Sequence, residues 1–112
     1  MSVSTHVLDT SAGRPASGIP VHLQRLDGDR WVDVSRGTTD ADGRAGALIP
    51  AGTPAPAGTF RLTFAVAAYF ASRGQSAFYE TIAVEFIVRD AAQHHHVPLL
   101  LSPFGYSTYR GS

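Results

Sequence analysis

His6, Arg44, the run His94-His95-His96, Tyr109 and Ser112 are the residues of this sequence whose types could carry chemistry. An imidazole has an unperturbed pKa of about 6.5, so it can take up and return a proton near neutral pH. A guanidinium keeps its charge and offers a planar fork of donors to the carbonyl and nitrogen edges of a flat ring. A phenol such as Tyr109 can donate a hydrogen bond to such a ring or stack on it. Ser112 brings a hydroxyl and, where the sequence stops, a carboxylate. Each also has an ordinary reading: a structural or surface histidine, an arginine solvated after a turn, a strand aromatic, a frayed end. His22, on a separate strand, reads as structural or exposed.

The three consecutive histidines raise the question of a metal. Adjacent strand residues point to opposite faces, so at most His94 and His96 could share an ion, and no spaced carboxylate or third imidazole accompanies them. No metal is expected. There is no cysteine, which removes disulfides, thiolate metal sites and thiol catalysis and leaves a reducing compartment allowed. There is also no glycine-rich phosphate loop and no Gly-x-Ser-x-Gly elbow, which disfavours nucleotide use and an acyl-enzyme route.

The elements that must position these groups are mostly strands. Alternation places His95, Val97, Leu99 and Leu101 on one side of a strand and His96, Pro98, Leu100 and Ser102 on the other. The first set is an ordinary core face. The second is too apolar for open water, so it should be covered. A Ser-Pro-Phe-Gly turn then leads to a short Tyr- and Thr-rich strand, making a hairpin. Upstream, residues 5–9 form a short strand carrying His6 opposite Val7, and residues 10–15 a loop. Residues 19–26 form a half-buried strand with Ile19, Val21 and Leu23 inward. An Asp-Gly hairpin signal at Asp27-Gly28 leads back through residues 31–38, and Asp40-Ala41-Asp42-Gly43 turns the chain so that Arg44 stands at the root of a strand over residues 45–49. Residues 50–58, rich in Pro and Gly, read as a rigid surface loop. Residues 59–64 and 82–88 alternate as strands, and the Ala-rich residues 65–73, ending before Gly74, read as one short helix. Many short strands between turn signals argue an antiparallel sandwich.

Length fits one domain over residues 1–112. Nine basic and nine acidic residues give a formal net charge of zero, so there is no electrostatic footprint for nucleic acid or an anionic membrane. No stretch approaches the roughly 20 apolar residues of a membrane span, and residues 1–6 lack the basic start and apolar core of a leader. A soluble cytoplasmic chain is expected.

Three stretches together carry a resemblance. Asp9-Thr10-Ser11-Ala12-Gly13-Arg14-Pro15-Ala16, Thr39-Asp40-Ala41-Asp42-Gly43-Arg44, and His96-Val97-Pro98-Leu99-Leu100-Leu101-Ser102-Pro103 with Tyr106-Ser107-Thr108-Tyr109-Arg110-Gly111-Ser112 resemble the 5-hydroxyisourate hydrolases, the purine-catabolic branch of the transthyretin family. The resemblance spans essentially the whole chain, and the Tyr-Arg-Gly-Ser ending is its most specific part. His95 departs from the usual aromatic, and Phe104 stands where Tyr is common. The resemblance implies an all-β, transthyretin-like antiparallel sandwich of two sheets with one short helix. It also implies a homotetramer, a dimer of dimers, with a channel that would cover the His96, Pro98, Leu100 face.

The implied activity is hydrolysis of 5-hydroxyisourate, a small-molecule substrate, to 2-oxo-4-hydroxy-4-carboxy-5-ureidoimidazoline without cofactor. Opening the lactam needs an activated water and stabilisation of an oxyanion. His6, His96, Arg44 and Ser112 are then the catalytic candidates, and His6, Arg44 and Tyr109 those that bind substrate. His6 and His96 should converge from two strands, one accepting the water proton and the other orienting the water or returning a proton to the leaving nitrogen. Which does which stays open. Arg110 would pair with the final carboxylate or hold the last residues in place. The rivals are a carrier that holds an aromatic ligand in the same channel and a structural sandwich in which the histidines are incidental.

Overall fold

Period-two burial is the organising feature of the computed structural model, which describes residues 2–53 and 55–112. Met1, at the start read as leaderless, and Pro54 of the 50–58 loop lie outside the described residues. In β1 (Ser2–Asp9), Val3, Thr5, Val7 and Asp9 are buried while Ser4, His6 and Leu8 are half-buried. The same alternation runs through the first half of β3 (Pro20–Asp27), through β6 (Gly58–Ala65) and through the first half of β8 (His94–Ser102). The inward residues meet in one core whose largest fully buried side chains include Phe60, Phe64 and Phe70; each contributes about 1.5–3 kcal/mol by leaving water.

The core lies between two sheets. One has the order β2-β1-β8-β9, with β2 (Arg14–Pro15) and β9 (Gly105–Thr108) at its margins and β5 (Arg44–Ala45) pairing with β1. The other has the order β4-β3-β6-β7, completed by β4 (Arg30–Thr38) and β7 (Thr81–Val88). This is the two-sheet sandwich that the alternation and turns imply. Within it, β1 and β8 run parallel, pairing Ser2 with His94, Ser4 with His96 and His6 with Pro98; the remaining ladders are antiparallel.

Two elements are shorter than the sequence suggests. The strand expected over 45–49 ends at Ala45 because Ala47 takes a positive φ of 52° and turns the chain away. Leu48 still plugs the core, with its N–H donating to the Val3 carbonyl at 3.1 Å. The helix expected over 65–73 is α1 (Ala67–Ala71), because Ala65 is claimed by the β6 ladder opposite Thr81. The loop 10–15 contains β2.

One buried carboxylate ties the end of β1 to α1. Asp9, 1% exposed, accepts the Tyr69 hydroxyl at 2.8 Å, the Ser11 hydroxyl at 2.7 Å and the backbone N–H groups of Ser11 and Ala12. Burial pushes the Asp9 pKa up, but these donors outweigh it and hold the carboxyl below its ordinary value. Burial and the neighbouring carboxylate push the Tyr69 phenol up.

Candidate active site

The outer face of the first sheet is where the parallel register gathers polar side chains. His6 on β1 lies opposite Arg44 on β5 and opposite Pro98 on β8, and Ser4, one pleat earlier, lies opposite His96. Since residues two apart share a face, Ser4, His6, His96 and Arg44 form one cluster around the β1–β8 ladder. Arg44 is exposed and both histidines are half-buried.

The turn before β5 orients His6. Asp40 accepts the N–H groups of Asp42 and Arg44 through Oδ1, at 2.9 and 3.0 Å, which shapes the turn. The Val7 N–H donates to the Gly43 carbonyl at 2.7 Å, docking the turn on β1. Gly43 has φ 76°, and a Cβ there would run into the Val7 carbonyl, so glycine is required. The Asp42 carbonyl then accepts from His6 Nε2 at 2.8 Å. A carbonyl can only accept, so Nε2 carries the hydrogen, and in the neutral ring Nδ1 is left with a free lone pair.

His96 is held differently. Its Nδ1 lies 2.8 Å from Ser4 Oγ, and its main chain bridges to Gly111, whose N–H donates to the His96 carbonyl at 2.9 Å. Burial lowers the His96 pKa, the Arg44 guanidinium and the neighbouring imidazoles add to the lowering, and the bond from Ser4 opposes it without reversing it. The net effect disfavours an imidazolium there and favours the neutral ring, the form that can accept a proton. The face expected to need a cover is partly covered by the chain itself: Gly111 packs on the His96 ring and Pro98, the Thr108 hydroxyl bonds the Pro98 carbonyl, and Pro98 is buried.

Tyr109 and Ser112 flank Gly111, which bridges to His96. Tyr109 is 58% exposed and shares a cleft of about 250 Å³ with His96, Arg110, Glu85 and Ile87, but not with His6 or Arg44. Ser112 follows Gly111 and is exposed. Arg110 donates to Gln93 Oε1 at 3.0 Å and so holds the last residues in place. His22 pairs with Asp33 at 2.9 Å on the other sheet. Sequence reasoning missed Ser4, and considered His94 only as a metal ligand. Ser2, Ser4 and His6 alternate on β1 as His94 and His96 do on β8, a signal that becomes informative only once the two strands are known to pair in parallel.

A two-sheet sandwich with one parallel pair among the described strands, carrying imidazole and guanidinium groups on the outer face of one sheet, has a transthyretin-like architecture. Residues 3–111 match the model of the HIUase/Transthyretin family, and the chain belongs to that family. It is 46% identical to 5-hydroxyisourate hydrolase 2 of Rhizobium meliloti (strain 1021), over 98% of this chain and 95% of that protein. Among solved structures it is similar to the 5-hydroxyisourate hydrolase of Klebsiella pneumoniae, with TM-score 0.84 and 37% identity over 99% of this chain and 98% of that one. It is also similar to sea bream transthyretin in complex with thyroxine, with TM-score 0.88 and 30% identity over 97% and 93%.

Proposed function

We propose that this chain hydrolyses 5-hydroxyisourate to 2-oxo-4-hydroxy-4-carboxy-5-ureidoimidazoline, using water activated by imidazole and no cofactor. The observation that carries the reading is the half-buried His96 on the same face as His6 and Arg44, where burial holds its pKa below the ordinary imidazole value. In this reading His96 takes the proton of the attacking water, and the free Nδ1 of His6 orients that water. The Arg44 fork meets the oxyanion that develops on the attacked carbonyl, where a fixed cation acts most strongly. In this reading Tyr109 and Ser112 contact substrate, contributed by a neighbouring subunit.

The working form in this reading is a cytoplasmic homotetramer, a dimer of dimers. Exposed Phe78, Ile87, Phe104 and Tyr106 are the kind of apolar surface that subunit contacts cover, and a sedimentation mass of a single chain would overturn it.

The test is ultraviolet absorbance after urate oxidation. The hydrolase accelerates decay of freshly made 5-hydroxyisourate, whereas a carrier only binds it, so decay at the spontaneous rate overturns the reading. His96→Asn should lower turnover roughly 100-fold or more, the scale of general acid–base catalysis. Near-full activity in a folded variant removes His96 from that role.

A further inference from the structure

Ser2, Ser4 and His94 stand beside His96 on the outer face and have no part in the reacting set above. Their polar atoms nevertheless form a continuous chain with it. Ser4 Oγ lies 2.8 Å from His96 Nδ1 and 3.0 Å from His94 Nε2, and His94 Nδ1 bonds the Ser2 hydroxyl. The two imidazoles stack almost parallel, with centroids 6.3 Å apart and 17° between planes. His94 and Ser2 are exposed, so the chain runs from the half-buried His96 outward to water.

Ser4 has one hydroxyl hydrogen. To bond both rings it must donate to one and accept from the other, so the hydrogen positions of the two imidazoles are tied together. In one arrangement His96 carries its hydrogen on Nδ1 and leaves Nε2 as a base; Ser4 then donates to His94 Nε2, and His94 Nδ1–H donates to Ser2. In the other, every hydrogen in the chain has moved one place and His96 Nε2 carries one.

We propose that Ser4 and His94 are positioning residues that form a proton relay for His96, an inference that rests on the hydrolase reading for its use but not for its existence. As water attacks the lactam carbonyl, its proton passes to His96 Nε2. The Nδ1 hydrogen of His96 moves to Ser4 Oγ, the Ser4 hydroxyl hydrogen to His94 Nε2, the His94 Nδ1 hydrogen to Ser2 Oγ, and the Ser2 hydroxyl hydrogen to solvent. One proton enters at His96, one leaves at Ser2, and each side chain stays neutral. Run in reverse, the chain returns a proton to the leaving nitrogen. A neutral path matters here because Arg44 and His6 face the ring that would otherwise hold a second positive charge.

Two measurements test the relay. The first is kinetic: Ser4→Ala and His94→Ala should each lower kcat about tenfold, the loss expected of one strong hydrogen bond, with KM little changed. The double variant should be no slower than the slower single, since both break the same chain, and Ser4→Thr, which keeps the hydroxyl, should restore kcat. Fully additive losses overturn the relay. The second is the ¹⁵N spectrum of the His96 ring near pH 8.5, where ordinary imidazoles, with a pKa of about 6.5, are neutral. His94→Ala should move the His96 resonances when Ser4 is present and leave them in place in the Ser4→Ala background. Should Ser4→Ala fold poorly, His94→Ala at its exposed position decides alone, and unmoved His96 resonances overturn the relay. If the unmodified protein leaves 5-hydroxyisourate at its spontaneous rate, the hydrolase reading fails, and the spectrum still decides whether Ser4 couples the rings.

Discussion

Gly111 is a position at which a single added methyl group would press directly on the His96 ring. A Cβ there would sit 2.5 Å from Cδ2 of His96 and 3.2 Å from both Cγ of His96 and Cγ of Pro98. Carbon atoms separate to about 3.5 Å, so Gly111→Ala must open the contact by about 1 Å. The imidazole cannot give way cheaply, because Ser4 holds its Nδ1 and the His94 ring stacks on it. Pro98 cannot either, because it is buried in β8. Residues 109–112 therefore move, losing the bond from the Gly111 N–H to the His96 carbonyl and carrying Tyr109 and Ser112 with them. One such bond at a sheet margin is worth about 1 kcal/mol, a Tm change of about 4 °C for a chain this size. A 1 Å misplacement of reacting groups costs roughly 100-fold in rate. The expected outcome of the decay assay run beside thermal melting is thus a large loss of kcat/KM with a small loss of Tm. Wild-type turnover in a variant that melts normally would refute the placement of residues 109–112 at the site. A collapse of Tm would show that Gly111 is a structural keystone instead.

Two further predictions concern pH. Because the folded environment lowers the His96 pKa, first by burial and then through its charged and ionisable neighbours, the acid limb of a kcat/KM profile should lie under about 6.5; a limb at or above that value contradicts the assignment. Asp9 has a lowered pKa in the folded state, so its contribution is present above the unfolded carboxyl value and is lost as pH falls through the folded one. Asp9→Asn should cost on the order of 2 kcal/mol at pH 7, the scale of bonds to a charged acceptor, and should flatten the fall in Tm below about pH 4. Melted over the same range, the variant and the wild type should converge toward acid, and parallel curves would count against the argument.

What could be read from the sequence was whatever a single strand decides by itself. Alternation alone separates His95, Val97, Leu99 and Leu101 from His96 and Leu100, and all four of the first set are buried. The Asp27-Gly28 signal is met by a two-residue turn with Gly28 at φ 65° and Asp27 opposite Arg30. Features that depend on distant partners were not legible. β1 and β8 are separated by most of the chain, and nothing local states that they pair in parallel or that Ser4 meets His96 rather than His95. The carbonyl of Asp42, which orients His6, is main chain and leaves no trace in residue type. Asp9 reads as the polar end of a strand, and only the folded chain brings Tyr69 to it.

The three consecutive histidines show how much that register decides. They are chemically identical and belong to one strand, yet each meets a different environment. His94 faces outward and is exposed, bonded to Ser2 and Ser4. His95 turns into the core, 5% exposed, with Nδ1 donating to the Gln93 carbonyl at 3.0 Å and the Phe86 ring 6.5 Å away. His96 is half-buried between Ser4 and Gly111, near the guanidinium of Arg44. A slip of one residue between β1 and β8 would put His95 beside Ser4 and send His96 into the core, because the side-chain period of a strand is two. The apolar side chains Val97, Leu99 and Leu101 would then face outward, at a cost of about 1.5–3 kcal/mol each. The leucines that follow the histidines thus hold the candidate imidazole on the outer face, and core packing and the position of His96 are set by the same register.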